Sequence, residues 1–163
     1  VICSLESFIS VIVSVLIHRY TLKIKWQTNY SNILSTLNWK MRVSIIIPCF
    51  NCQKIIKDSI LKLQKKLKKL KKVKYELIFI DDGSSDNTVK VINNFTSKNI
   101  TLIKNHKNLG KSLSLIKGIN IAKNDRIILI DCDLPYFKYL DTILHKIETE
   151  KFIYINRKSK KVS

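Results

Sequence analysis

From Met41 onward the sequence alternates short β-branched runs with longer segments of helical period, and few folds accommodate that alternation. Val43–Pro48 reads as a strand buried on both faces. Ile56, Ile60, Leu63, Leu67 and Leu70 then recur at spacings of four, three, four and three, one apolar stripe of a helix. Lys62, Lys65, Lys66, Lys68, Lys69, Lys71 and Lys72 occupy the rest of that segment, as a solvated face or a membrane-facing one. Leu77–Ile80 predicts a second strand, and Ser85 or Asp86 can cap a helix running to about Phe95. Ile100–Asn105 and Arg126–Ile130 predict strands flanking a helix over Lys111–Ala122, with Tyr136–Glu150 a further helix and Phe152–Asn156 a fifth strand. Such a succession folds into right-handed βαβ units around a predominantly parallel sheet with helices on both faces. Ligands of those sheets sit outside the carboxyl ends of the strands. The polar clusters fall there: Asn51 after the first strand, Asp81–Ser84 after the second, Asp131–Asp133 after the fourth.

Asp131 and Asp133, one residue apart on a tight turn, offer hard oxygen ligands of the kind that hold Mg²⁺ or Mn²⁺ against phosphates. The competing structural reading is that they cap the helix beginning near Tyr136. The Asp81-Asp82 pair lies on the same rim, where a carboxylate can accept from nucleobase donors or ribose hydroxyls, and Gly83 permits a sharp turn. No G-x-G-x-x-G follows the first strand and no G-x-x-x-x-G-K-[ST] occurs, which argues against a dinucleotide-binding dehydrogenase and a P-loop NTPase. No G-x-S-x-G elbow supports a hydrolase of that type. Cys49 and Cys52 form a C-x-x-C at a strand-to-helix junction, where a redox pair would lie, but without the flanking Trp or intervening Gly-Pro. A zinc site would need two more ligands, and His18, His106 and His145 are scattered.

Composition bears on partners. Thirty Lys+Arg against twelve Asp+Glu leave +18 in 163 residues, which permits a nucleic-acid or anionic-membrane surface. Yet 26 Lys, 27 Ile and 13 Asn against a single Ala read as the imprint of an AT-rich coding sequence, so the charge does not by itself define a function. Residues 1–40 differ in character: an apolar run over 8–17 is followed by His18 and Arg19, and Met41 opens the regular pattern. The expectation is an uncertain N-terminal segment over 1–40, from upstream translation or a membrane-associating helix, and a partial catalytic domain over 41–163.

V-S-I-I-I-P-C-F-N at 43–51, E-L-I-F-I-D-D-G-S-S-D-N-T at 76–88, N-L-G-K at 108–111 with Gly118 and Ala122, and I-L-I-D-C-D-L at 128–134 stand in the order and spacing of family 2 glycosyltransferases. Each motif is short, but four in register are specific. The sequence most resembles the dolichol- and polyprenyl-phosphate mannosyltransferase-like branch over Val43–Arg157. The resemblance implies a C-terminally truncated GT-A fold, a GDP- or UDP-linked sugar as donor, Mg²⁺ or Mn²⁺ as cofactor, and transfer with inversion to a polyprenyl phosphate or glycan. It implies a base pocket lined by Pro48 and Phe50, with Asn51, Cys52, Ile80 and Gly83 at the nucleotide-sugar site and Asp82 on base or ribose. Asp131 and Asp133 would be catalytic and metal-binding, Cys132 would lie between them at the nucleotide-sugar site, and Lys111 and Arg157 would neutralise phosphate. It further implies a cytoplasmic location at the inner face of the membrane, peripheral contact with anionic lipid, and no nucleic acid. Cys52 replaces the family's usual Glu, and the chain ends before the acceptor half, so the fragment alone is expected to be inactive. The alternatives are a non-catalytic basic α/β module on anionic membrane or nucleic acid, and a degenerate homologue.

Overall fold

A computed structural model describes residues 41–70 and 72–149. Four strands, β1 (Met41–Cys49), β2 (Val73–Asp81), β3 (Ile100–Lys104) and β4 (Arg126–Leu129), form one sheet in the order β3-β2-β1-β4. Every pairing is parallel, with Ile45 opposite Leu77 on one side and Ile128 on the other. The connecting helices are α1 (Gln53–Lys69), α2 (Thr88–Asn93) and α3 (Lys111–Ile121). A 3₁₀ turn over Phe137–Tyr139 leads into α4 (Leu140–Thr149), where the sequence predicted one continuous helix from Tyr136. The fifth strand expected over Phe152–Asn156, the expected site residue Arg157 and the segment 1–40 lie outside the described residues.

The strand order explains the layering. Crossovers from β1 to β2 and from β2 to β3 step in one direction, and that from β3 to β4 steps back past β1. Right-handed crossovers therefore place α1 and α2 on one face and α3 on the other. Side-chain parity agrees with this. Val43, Ile45, Ile47, Leu77 and Phe79 pack with Ile56, Ile60, Leu63 and Leu67 of α1, Ile92 of α2 and Leu140 and Leu144 of α4. Ile46, Ile78 and Ile80 pack with Leu115 and Ile119 of α3 and with Ala122. On that second face Gly118 lets α3 lie directly on the sheet, because a Cβ there would come within 2.4 Å of Ile46 Cγ2. The reversal of direction makes the carboxyl ends of β1 and β4 the switch point of the sheet, where such folds open a crevice for ligands.

Candidate functional site: the carboxyl rim of the sheet

At the switch point the chain leaves β4 through a tight turn. Ile130 N still donates to Ile46 O at 3.1 Å, and Leu134 N donates to Asp131 O at 3.0 Å. Leu134 adopts φ 52, a left-handed conformation unusual for a branched side chain, and buries itself in the core. Ser59 Oγ of α1 donates to Cys132 O at 2.6 Å, which ties the turn to the first helix. With Leu134 turned inward, Asp131 is half-exposed and Asp133 exposed. The 3₁₀ turn beyond them has no side-chain cap, so the helix-capping alternative for these carboxylates does not hold. Instead Asp131 Oδ1 meets Lys111 Nζ at 2.5 Å, with the two side chains 41% and 55% exposed.

Lys111 reaches Asp131 because Asp82 holds the loop before α3. Asp82 Oδ1 accepts from Asn105 Nδ2 and Leu109 N, and Oδ2 from Gly110 N, each at 2.9 Å. Asn105 Nδ2 also donates to Ser114 Oγ at 2.9 Å, and Asn105 Oδ1 accepts from Lys117 Nζ at 2.9 Å. Burial pushes the Asp82 pKa up, but the bonds from Leu109, Asn105, Ser114 and Gly110 outweigh it and hold the carboxyl below its ordinary value. Asp82 was expected on base or ribose. In the structure it is buried, turned toward α3, and bonded to the loop. Gly83 backs the same loop. Its φ is +76, and a Cβ would come within 2.6 Å of the Lys107 carbonyl carbon.

The neighbouring Asp81 has the opposite environment. It is 1% exposed, Oδ2 accepts only a 3.3 Å bond from Ser84 N, and Oδ1 is an orphaned buried acceptor. A polar atom so placed costs stability unless something satisfies it.

The turn from β1 to α1 is laced to the β2–α2 loop. Asn51, at φ 48, donates through N to Ser84 Oγ and accepts on Oδ1 from Ser85 N, both at 2.9 Å. Gln53 N donates to Asp86 Oδ2 at 3.0 Å and Gln53 Oε1 accepts from Asn87 N at 2.8 Å. Asp86 Oδ1 accepts from Thr88 N at 2.9 Å, the capping contact expected of Asp86. Cys52 N donates to Thr88 Oγ1 at 2.8 Å, and the Cys52 side chain is buried against Thr88 and the Cys132 and Cys49 thiols. The bond with Cys132 favours the Cys52 thiolate, but the bond to Cys49 and burial prevail and push its pKa up to about 12. The Cys132 thiol is pushed up by its bond to Cys52, by burial and by the charges of Asp133 and Asp131. All three are free cysteines.

Of the residues expected at the site, the rim presents Phe50, 48% exposed, with Pro48 half-buried at the end of β1. Lys111, Asp131 and Asp133 lie together across the switch point. Three others lie less openly. Ile80 faces the α3 core and is fully buried, Cys52 is buried beneath the turn, and Asn51 spends its side chain on the adjoining loop. No sequence motif marks Asn105, and the D-D pair by itself does not tell which carboxylate is left unsatisfied. Strand parity is the signal that separates Asp81 from Asp82, since the first shares a face with Phe79 and the second with Ile80.

The donor set of the rim fits a hard divalent cation. Asp131 and Asp133 are water-facing carboxylates, and an ammonium already sits on one of them. No group of three or more His, Cys, Asp or Glu converges among the described residues. Two carboxylates completed by a ligand's phosphates is the usual coordination of Mg²⁺, whereas a dedicated protein cage is not.

A parallel α/β sheet of this order fits the GT-A fold, and solved structures share it. A mannosyltransferase from Pyrobaculum calidifontis, solved with GDP-Man and Mn²⁺, superposes with a TM-score of 0.58 at 16% identity over 93% of this chain and 46% of its own. TarS 1–349 of S. aureus superposes with a TM-score of 0.55 at 22% identity over 66% of this chain and 32% of its own. The chain belongs to glycosyl transferase family 2, whose family model matches residues 44–162. It is 35% identical over 118 residues to the dolichyl-phosphate beta-glucosyltransferase of Dictyostelium discoideum, covering 65% of this chain and 36% of the relative. It is 33% identical over 104 residues to the undecaprenyl-phosphate 4-deoxy-4-formamido-L-arabinose transferase of Proteus mirabilis, covering 62% and 32%. The chain thus spans about a third of the length of these curated relatives.

Proposed function

We propose that residues 41–163 form the donor-binding part of a glycosyltransferase that takes a GDP- or UDP-linked sugar and passes the sugar, with inversion, to a polyprenyl phosphate. The observation that carries this reading is the Asp131–Asp133 turn paired with Lys111 at the switch point of a family 2 chain. Both relatives described above are named as transferases on lipid phosphates. Phe50 would stack on the base beside Pro48. Asp131 and Asp133 would hold the divalent cation, and Lys111 would meet the diphosphate. Arg157 is assigned the same phosphate role from its place in the sequence.

Breaking the anomeric C–O bond leaves negative charge on a nucleoside diphosphate, and cationic groups near that charge lower the barrier. A bound divalent cation would supply part of that stabilisation. A lipid-phosphate acceptor is ionised near neutral pH, so its oxygen can attack without a general base, whereas a glycan hydroxyl would need one. Such an acceptor places the protein at the cytoplasmic face of a membrane, in peripheral contact with anionic lipid and without a role for nucleic acid. Among the described residues no helix is long and apolar enough to cross a bilayer.

The test is a thermal-shift titration of the full chain with GDP, UDP and their sugars, with and without Mn²⁺. A metal-dependent upward shift that disappears in Asp131→Asn/Asp133→Asn is expected. The same shift in the double variant, or none with any nucleotide, sinks the reading.

A further inference from the structure

The Lys111–Asp131 pair ties two ligand sites to one side chain. Lys111 is the first residue of α3, and its backbone position is set from behind. Asp82 holds Leu109 N and Gly110 N, Asn108 Oδ1 accepts from Gly110 N at 3.0 Å, and Gly110 itself adopts φ +89. The ammonium, by contrast, rides on a flexible four-carbon stem, is half-exposed, and rests on the half-exposed Asp131. An anchored base with a mobile charge can exchange one anionic partner for another without rearranging the fold.

We infer that Lys111 is a resident counter-ion of the Asp131–Asp133 turn that couples cation binding to nucleotide binding, an inference resting on the donor-site reading above. In the free protein the ammonium occupies Asp131 Oδ1 and cancels one of the two negative charges of the turn. A divalent cation must displace it, so the protein alone binds the cation weakly. An arriving diphosphate gives the ammonium another anion, and Asp131 is released to the cation. Linkage then requires the cation to tighten nucleotide binding by the same factor that the nucleotide tightens cation binding. The ion pair thereby offsets half the negative charge of the turn and favours cation and nucleotide entering together.

The test measures Mn²⁺ binding directly, from the spin-resonance signal of free Mn²⁺ titrated with the full chain, in the presence and absence of GDP or UDP. Lys111→Met and Lys111→Arg are compared with wild type. Both replacements sit at an exposed position, and unchanged thermal unfolding establishes that the fold is kept. Because exposed pairs contribute little individually, Lys111→Met is expected to bind Mn²⁺ alone about 3- to 5-fold more tightly than wild type. The nucleotide's effect on Mn²⁺ affinity should shrink by the same factor, and Lys111→Arg should retain it. Equal Mn²⁺ affinity in wild type and Lys111→Met overturns the inference while leaving the donor-site reading intact. Mn²⁺ binding that is unchanged in Asp131→Asn/Asp133→Asn overturns both.

Discussion

Two adjacent carboxylates at the end of β2 have opposite energetic signs. Asp82, itself buried, accepts from two main-chain N–H groups and an amide and is the residue that positions the loop before α3. Asp82→Asn replaces one accepting oxygen with an NH₂ facing those donors, and a loss of about 1–3 kcal/mol is expected in urea unfolding. Asp81 has an orphaned buried oxygen, so Asp81→Asn breaks no bond at that atom and is expected to hold or raise stability. Acid adds a further check. A carboxyl held below its ordinary pKa stabilises the fold above the unfolded value of about 4, and that contribution is lost as pH falls through the depressed folded value. Asp86 is also held low: burial opposes this, and the bonds from Thr88 and Gln53 N outweigh it. The difference between wild type and Asp82→Asn on acidification below about pH 4 isolates the Asp82 share. None of this inward commitment was legible in the D-D-G-S string alone, because the face of the sheet that α3 covers follows from strand order.

The thiols follow the same logic. With Cys52 raised to about 12 and Cys132 raised by its neighbours, neither presents thiolate at neutral pH. The thiolate is the species that attacks disulfides and alkylating reagents. Peptide mapping after iodoacetamide at pH 8 should therefore find Cys52 and Cys132 unmodified in the native protein and modified after denaturation. Rapid native labelling of either would contradict their placement. The C-x-x-C spacing suggested Cys49 as the partner of Cys52, but Cys132, from 80 positions further along the sequence, also meets it.

At the scale of elements, apolar period and β-branched runs located the four strands and α1 to within a few residues, because both signals are local. Where Tyr136–Glu150 read as one helix, Phe137–Tyr139 winds as a 3₁₀ turn. The chain must first bury Leu134 and Leu140 on either side of the turn before α4 can start. The α3–sheet contact is more demanding than its apolar pattern conveys. Gly118 is required there for space, since an added methyl would overlap Ile46 Cγ2 and lie 3.4 Å from Ile80 Cγ1. Both isoleucines are fully buried, so neither can yield freely. Gly118→Ala is expected to cost about 1–3 kcal/mol in denaturant unfolding despite the higher helix propensity of Ala. A neutral or stabilising result would mean that α3 stands further from β1 than described.

Among the described residues, lysines predominate on α1, away from the acidic turn. The acidic turn lies at the carboxyl rim. Lys54, Lys57, Lys62, Lys65, Lys68 and Lys69 of α1 are exposed, and at 3.6 residues per turn they fall within an arc of about 140° opposite the buried stripe. Exposed Leu61 and the exposed carboxylate Asp58 lie within that arc, and Lys66 leaves it to pair with Asp141 of α4. α1 begins beside the rim and runs to the opposite edge of the sheet, so its lysine-dense end is far from Asp131 and cannot serve the donor phosphate. The polyprenyl-phosphate acceptor proposed above would supply a reason for the surface: each lysine near an anionic leaflet contributes about 1 kcal/mol, screened within roughly 10 Å at 0.1 M salt. The full chain should therefore cosediment with phosphatidylglycerol-containing vesicles at low salt and be released at high salt. Lys62→Glu/Lys65→Glu/Lys68→Glu should abolish that binding with Mn²⁺ affinity unchanged, and Asp131→Asn/Asp133→Asn should do the reverse. Distant sites contribute independently, so the two defects should not mix. If the lysine variant sediments like wild type, the basic arc is only a solvated helix face, and membrane contact must come from elsewhere in the protein.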